Sequence, residues 1–229
     1  MSAPTVAPHR RGDRTIWPRW VLTHALYGAL GPAVLKILEG RFLAGSATRA
    51  TDGPSIVAGV TAAWLVLGGV VQWVILRRYL RPLGWWPIAT IVGAFTGGLL
   101  VFGFVTGNYT YRETFRSDLL ICGFTAAAIG TAQWIVLRRR IRGAGWWVAA
   151  SVAGGALIWP TYTAVTATTF AGAAAARGVG QAAVVAVATQ GGVSVAAYAT
   201  VTALGLIWLL RRAGPAVAEG VRQEPSPRL

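Results

Sequence analysis

Polar and charged positions along the 229-residue chain are bunched into short segments, and the stretches between them are apolar. Six such stretches stand out, at about Trp20–Leu38, Ser55–Leu76, Trp85–Thr106, Leu119–Leu137, Trp146–Thr168 and Val184–Leu210, the last with an alternative start near Gln190. A helix needs about 20 apolar residues to cross the hydrocarbon core of a bilayer. The pattern therefore predicts an all-α integral membrane protein with six transmembrane helices. It divides the chain into a basic tail at 1–15, a membrane domain at 16–212 and a second tail at 213–229, which leaves no room for a separate soluble domain.

The pattern is written partly in duplicate. "GGVVQWVILRRYLRPLGWW" (Gly68–Trp86) returns, 61 residues later and without a gap, as "IGTAQWIVLRRRIRGAGWW" (Ile129–Trp147). The matched positions include Gln72/Gln133, Trp73/Trp134, Arg77/Arg138, Arg81/Arg142, Gly84/Gly145, Trp85/Trp146 and Trp86/Trp147. Each copy, at about 55–115 and 116–176, reads as a helix entering the cytoplasmic side, a short basic turn and a helix returning. Two copies offset by two helices have the same orientation, as parallel repeats do. The sixth stretch ends "LIWLLRR" and the first opens "RTIWPRW", which suggests a third, circularly permuted unit with Leu206 in place of the glutamine. Six helices with pseudo-threefold symmetry are the expectation.

Composition and charge refine this picture. Hydrophobic residues make up 55% of the chain, charged residues 12%, and the mean hydropathy is +0.55. Soluble domains carry about 25% charged residues. The net charge of +14 would suit nucleic acid, but its distribution points elsewhere. With both termini in the cytoplasm, fifteen of 21 basic residues fall on that side, among them Arg77, Arg78, Arg81, Arg138, Arg139, Arg140, Arg142, Arg211 and Arg212. Positive residues mark the cytoplasmic side, and attraction to anionic lipid accounts for the rest of the basicity. Nucleic acid is not needed as a partner; anionic lipids on the cytoplasmic face, and other membrane subunits, are. Nine of the 11 tryptophans lie at the same level (Trp17, Trp20, Trp73, Trp85, Trp86, Trp134, Trp146, Trp147 and Trp208). Arginines and tryptophans together predict a headgroup collar, with Gly84 and Gly145 closing the turns.

Cys122 is the single cysteine, so neither an intrachain disulfide nor a zinc spacing is available. The first apolar stretch follows a basic segment as a signal peptide would, but it is longer than a signal core and is followed by Lys36 and Glu39. A retained helix is the expectation.

The phrase Q-W-x-x-L-R-R followed by G-W-W resembles repeats in uncharacterised multi-pass membrane proteins of bacteria, over about Ser55–Thr168. The resemblance implies a bacterial inner membrane and no activity.

Residues able to do chemistry are few. No H-E-x-x-H, G-x-S-x-G or intramembrane carboxylate pair occurs, and "GVGQAA" (Gly178–Ala183) lacks the strand that a dinucleotide fingerprint requires. His24 is the candidate haem or chlorin ligand, set against an interhelical hydrogen bond. Gln72 and Gln133 lie about 7 Å of helix rise before the arginines, just inside the hydrocarbon edge, either joining helices or facing a cavity. Pro160 and Thr163, in the Thr-rich fifth stretch, are candidates for a kinked cavity lining or an interhelical polar contact. We expect no enzyme, no metal and no cofactor. The functions in play are a scaffold, accessory subunit or lipid-binding bundle, then a small-solute transporter or channel, then a pigment- or haem-binding subunit.

Overall fold

The computed structural model describes residues 10–42, 52–80, 83–107, 115–173 and 179–213, and all regular structure among them is helical. There are six helices: α1 (Arg10–Phe42), α2 (Asp52–Leu76), α3 (Trp86–Gly107), α4 (Phe115–Leu137), α5 (Trp146–Ala173) and α6 (Val179–Ala213). Four of them contain segments long and apolar enough to cross a membrane: Thr15–Leu38, Leu119–Leu137, Trp146–Thr168 and Gln181–Arg212. The apolar segments in α2 and α3 are shorter, Ala62–Leu76 and Trp86–Val101. α1 begins at Arg10, inside the segment expected to be tail, because arginine is a good helix former and the helix continues past the apolar boundary.

Each helix packs against its neighbour in sequence, and α6 packs against α1, which closes the six into a ring. The outside of this ring is apolar. On α1, Leu22, Leu26 and Leu30 are 63%, 63% and 54% exposed, and Ile88, Val92, Phe95 and Leu99 form a similar stripe on α3. Contiguous exposed leucines of this kind suit hydrocarbon and not water.

Helix contacts are made where side chains are small, as close packing without a hydrophobic drive requires. A Cβ on Gly93 in α3 would lie 2.5 Å from the Ile129 Cα in α4, and one on Gly154 in α5 would lie 2.9 Å from the Tyr198 ring in α6. The closest crossing is between α1 and α6, where a Cβ on Gly191 would collide with the Gly28 carbonyl oxygen. Pro32 lies in α1 four residues after Gly28 and has no N–H to offer that carbonyl.

The apolar core sits at one end of the ring, the end bearing the arginine turns. It joins Ile16 and Trp20 of α1, Leu76 of α2, Trp86 of α3, Leu137 of α4, Trp147 of α5 and Ala199, Ala203, Leu206 and Leu209 of α6. The turns contribute to it too. Leu80 and Leu83 in the first, and Ile141 and Ala144 in the second, are all buried, while Arg77, Arg78, Arg138, Arg139, Arg140 and Arg142 around them are exposed. Each turn thus folds an apolar pair beneath the bundle and leaves its cations on the rim. The backbone repeats as well: Trp86 N–H donates to Leu83 O at 3.0 Å and Trp147 N–H donates to Ala144 O at 2.9 Å. Gly143, at φ +78°, is the one described residue with positive φ, so the glycine the second turn requires is Gly143 and not Gly145.

Candidate functional site: a buried amide, indole and imidazole cluster

Just above the core, five helices contribute polar side chains to one cluster. Gln72 is 8% exposed and Gln133 is fully buried, and their amides are linked: Gln133 Nε2 donates to Gln72 Oε1 at 2.9 Å. Each glutamine also accepts an indole N–H from the second tryptophan of the following G-W-W. Trp86 Nε1 donates to Gln72 Oε1 at 3.0 Å, and Trp147 Nε1 donates to Gln133 Oε1 at 2.9 Å. An indole nitrogen can only donate, so these bonds determine which amide atom is oxygen in both glutamines.

The amide nitrogens then point the other way. Gln133 Nε2 also donates to Thr90 Oγ1 at 2.9 Å, and Gln72 Nε2 lies 2.9 Å from His24 Nε2. His24 Nδ1 lies 2.7 Å from the Trp20 carbonyl oxygen, which can only accept. The Nδ1 position therefore carries the proton, and Nε2 of the neutral ring accepts from Gln72. Thr90 Oγ1 passes its own hydrogen to the Trp86 carbonyl at 3.1 Å.

The acceptors have a regular source. His24, Thr90 and Ser151 each lie four residues after a buried tryptophan (Trp20, Trp86 and Trp147) and all three are buried. The tryptophans meet edge to face: Trp86 and Trp147 have ring centroids 5.8 Å apart, Trp20 and Trp147 6.2 Å apart. α6 gives no glutamine to the cluster, and Leu206, the residue expected in its place, is buried. Trp20 Nε1 donates instead to Thr202 Oγ1 at 3.0 Å, and Ser151 Oγ, although beside Tyr198, meets no partner at hydrogen-bond geometry.

A second polar pair lies farther along α6. Gln190 and Ser194 are one turn apart and essentially unexposed, and neither the amide nor the hydroxyl has a hydrogen-bond partner among the described residues. Burying an amide without partners costs about 2–7 kcal/mol in an apolar medium.

On the rim, Trp73, Trp134 and Trp208 each carry an arginine one turn on. Arg77 stands over Trp73 at 5.0 Å, Arg138 over Trp134 at 5.1 Å and Arg212 over Trp208 at 4.2 Å. Trp85 and Trp146 are 67% and 61% exposed, as collar residues would be. Trp86 and Trp147, expected in the same collar, are 0% and 1% exposed and belong to the interior. Successive helix positions point about 100° apart, so only one tryptophan of each W-W pair can face out. Arg81 lies outside the described residues.

The other candidates are placed as follows. Both ring nitrogens of His24 are engaged, so a haem iron would have to displace Gln72 or the Trp20 carbonyl. Thr163 is exposed and bonds to the Pro160 carbonyl of its own helix at 3.0 Å. Pro160 sits inside an unbroken α5. No group of three or more His, Cys, Asp or Glu among the described residues could hold a metal ion. Trp20, expected with the collar tryptophans, is fully buried, and Thr90, Thr202 and Gln190 carry no repeat signature from which sequence reading could assign them a role. No family description, curated protein or solved structure matches the chain.

Proposed function

We propose that this protein is a non-enzymatic polytopic bundle of the bacterial inner membrane, a scaffold or accessory subunit that gathers anionic lipid on its cytoplasmic face. In this reading all six helices span, both termini are cytoplasmic, and three helix pairs (α2–α3, α4–α5 and α6–α1) are related by a pseudo-threefold axis along the membrane normal. The observation that carries it is the cluster itself. Trp20, Trp86 and Trp147 are buried together on the arginine side, and each glutamine oxygen accepts an indole N–H. A conducting axis would need polar groups left available to a solute at this level; here they are spent on one another. The 61-residue offset between Gln72 and Gln133, and the common 14-residue step to their tryptophans, support the repeat.

The topology is tested by cysteine labelling after replacement of Cys122. Gly145→Cys should react only with reagent from the cytoplasmic side and Thr110→Cys only from outside; the reverse pattern sinks the orientation. The function is tested by reconstitution into vesicles. The bundle should retain anionic lipid through purification and pass no small solute.

A second reading, a small-solute carrier, has one specific observation in its favour. Gln190 and Ser194 are unpaired inside the bundle, on the opposite side of the membrane from the tryptophans in the proposed orientation. Solute flux that is abolished by Gln190→Leu would favour it.

A further inference from the structure

The arginines of the rim are not equivalent. Arg77, Arg138 and Arg212 each hold the guanidinium carbon over the indole four residues earlier, 5.0, 5.1 and 4.2 Å from the ring centroid. Their neighbours Arg78 and Arg139 are exposed too, but stand over no ring among the described residues. A cation–π contact of this kind engages the charge over the ring and spends none of the five N–H donors on a hydrogen-bond acceptor. Neither basic turn contains an acidic residue to take them. The indole holds the long side chain in one orientation, which removes much of the rotamer entropy that a ligand would otherwise have to overcome.

The ligand chemistry follows from those donors. A planar fork with one positive charge matches two unesterified oxygens sharing one negative charge, in bidentate geometry. At the boundary between acyl chain and headgroup, that group is the phosphodiester of a phospholipid, and it keeps its net charge for the clamp only where no headgroup ammonium neutralises it, as in phosphatidylglycerol. We propose that the Trp73–Arg77, Trp134–Arg138 and Trp208–Arg212 pairs are three discrete sites for anionic phospholipid, one at the cytoplasmic end of each of α2, α4 and α6. The proposal rests on the lipid-gathering reading above and sharpens it: diffuse attraction to a basic rim has no stoichiometry, whereas three clamps do.

The test uses the full chain in neutral detergent micelles doped with phosphatidylglycerol, with bound lipids counted by native mass spectrometry. Three tightly held lipids are expected. Arg77→Gln, Arg138→Gln and Arg212→Gln should each remove one, by weakening that site roughly three- to tenfold. Arg78→Gln and Arg139→Gln, which lose the same charge, should leave the count at three. Trp134→Leu, which keeps every charge, should lose one lipid, and Arg138→Lys should lose it as well because an ammonium has no planar fork. Equal losses from all five glutamine variants would overturn the clamps while leaving a lipid-gathering rim intact. No preference for phosphatidylglycerol over phosphatidylcholine would overturn both. Displacement of the lipids by millimolar glycerol phosphate would assign the sites to a free phosphate ester and overturn the lipid assignment.

Discussion

Gln133 Nε2 donates to Gln72 Oε1 at 2.9 Å, so two positions that repeat along the chain are also bonded to each other. Gln72 also meets α1 through His24 and α3 through Trp86, and Gln133 meets α5 through Trp147, so the pair links five helices. Such a contact is what the proposed pseudo-threefold axis would require of equivalent residues.

Removing either amide should leave several buried groups unpaired. Gln72→Leu strips partners from His24 Nε2 and Trp86 Nε1 together, and we expect a loss of about 1–3 kcal/mol. Gln133→Leu should cost a similar amount through Trp147 and Thr90. Because the two share a bond, the double variant should lose less than the sum of the singles. Reversible unfolding in mixed micelles measures all three; strict additivity would mean that the bond contributes nothing.

Leu206→Gln tests the third sector. In the other two, glutamine accepts from a tryptophan and donates to a residue four past the preceding one. A glutamine at 206 should accept from Trp20 Nε1 and donate to Ser151 Oγ, which lacks a partner at present. Stability should hold or rise by up to about 1 kcal/mol. A fall of several kcal/mol would mean that the added amide finds no partner, and that position 206 is not the third member of a set.

Adjacent tryptophans should behave differently. Fluorescence from Trp85 and Trp146 should be quenched by brominated lipid, and that from Trp86 and Trp147 should resist quenching, given their burial. Trp86→Phe should destabilise the bundle by about 1–3 kcal/mol, since it frees Gln72 and leaves a void. Trp85→Phe should stay within about 0.5 kcal/mol of the parent.

Gln190→Met separates a structural amide from a functional one. A desolvated amide with no partner gains nothing from its polarity, so its apolar replacement should be neutral or stabilising in thermal unfolding. A clear loss of stability would mean that ordered water or another group satisfies Gln190.

The helices and the basic turns were legible in the sequence because each leaves a local mark: an apolar run, a charge cluster. What was not legible depended on which way equally apolar neighbours turn. Trp85 and Trp86 carry the same hydropathy, and only the exit angle of the turn decides that one faces out and the other meets Gln72. Thr90 and Ser151 look like ordinary helix residues until the tryptophan one turn earlier is known to be inside. The turn glycine was misplaced by two residues, because Gly145 repeats and Gly143 does not, whereas positive φ falls on Gly143.

The bond between Trp20 and Thr202 joins residues 182 apart, in the first and the last helix. At a synthesis rate of about 5–20 residues per second, Thr202 leaves the ribosome roughly 9–36 s after Trp20. Throughout that interval α1 has no α6 to close against, and Gly28 has no Gly191. Neighbouring helices can pack in order of synthesis, but the ring closes only when α6 is made: its seam is the junction between α6 and α1. A chain truncated before α6 should leave α1 open to whatever transmembrane segment it meets first.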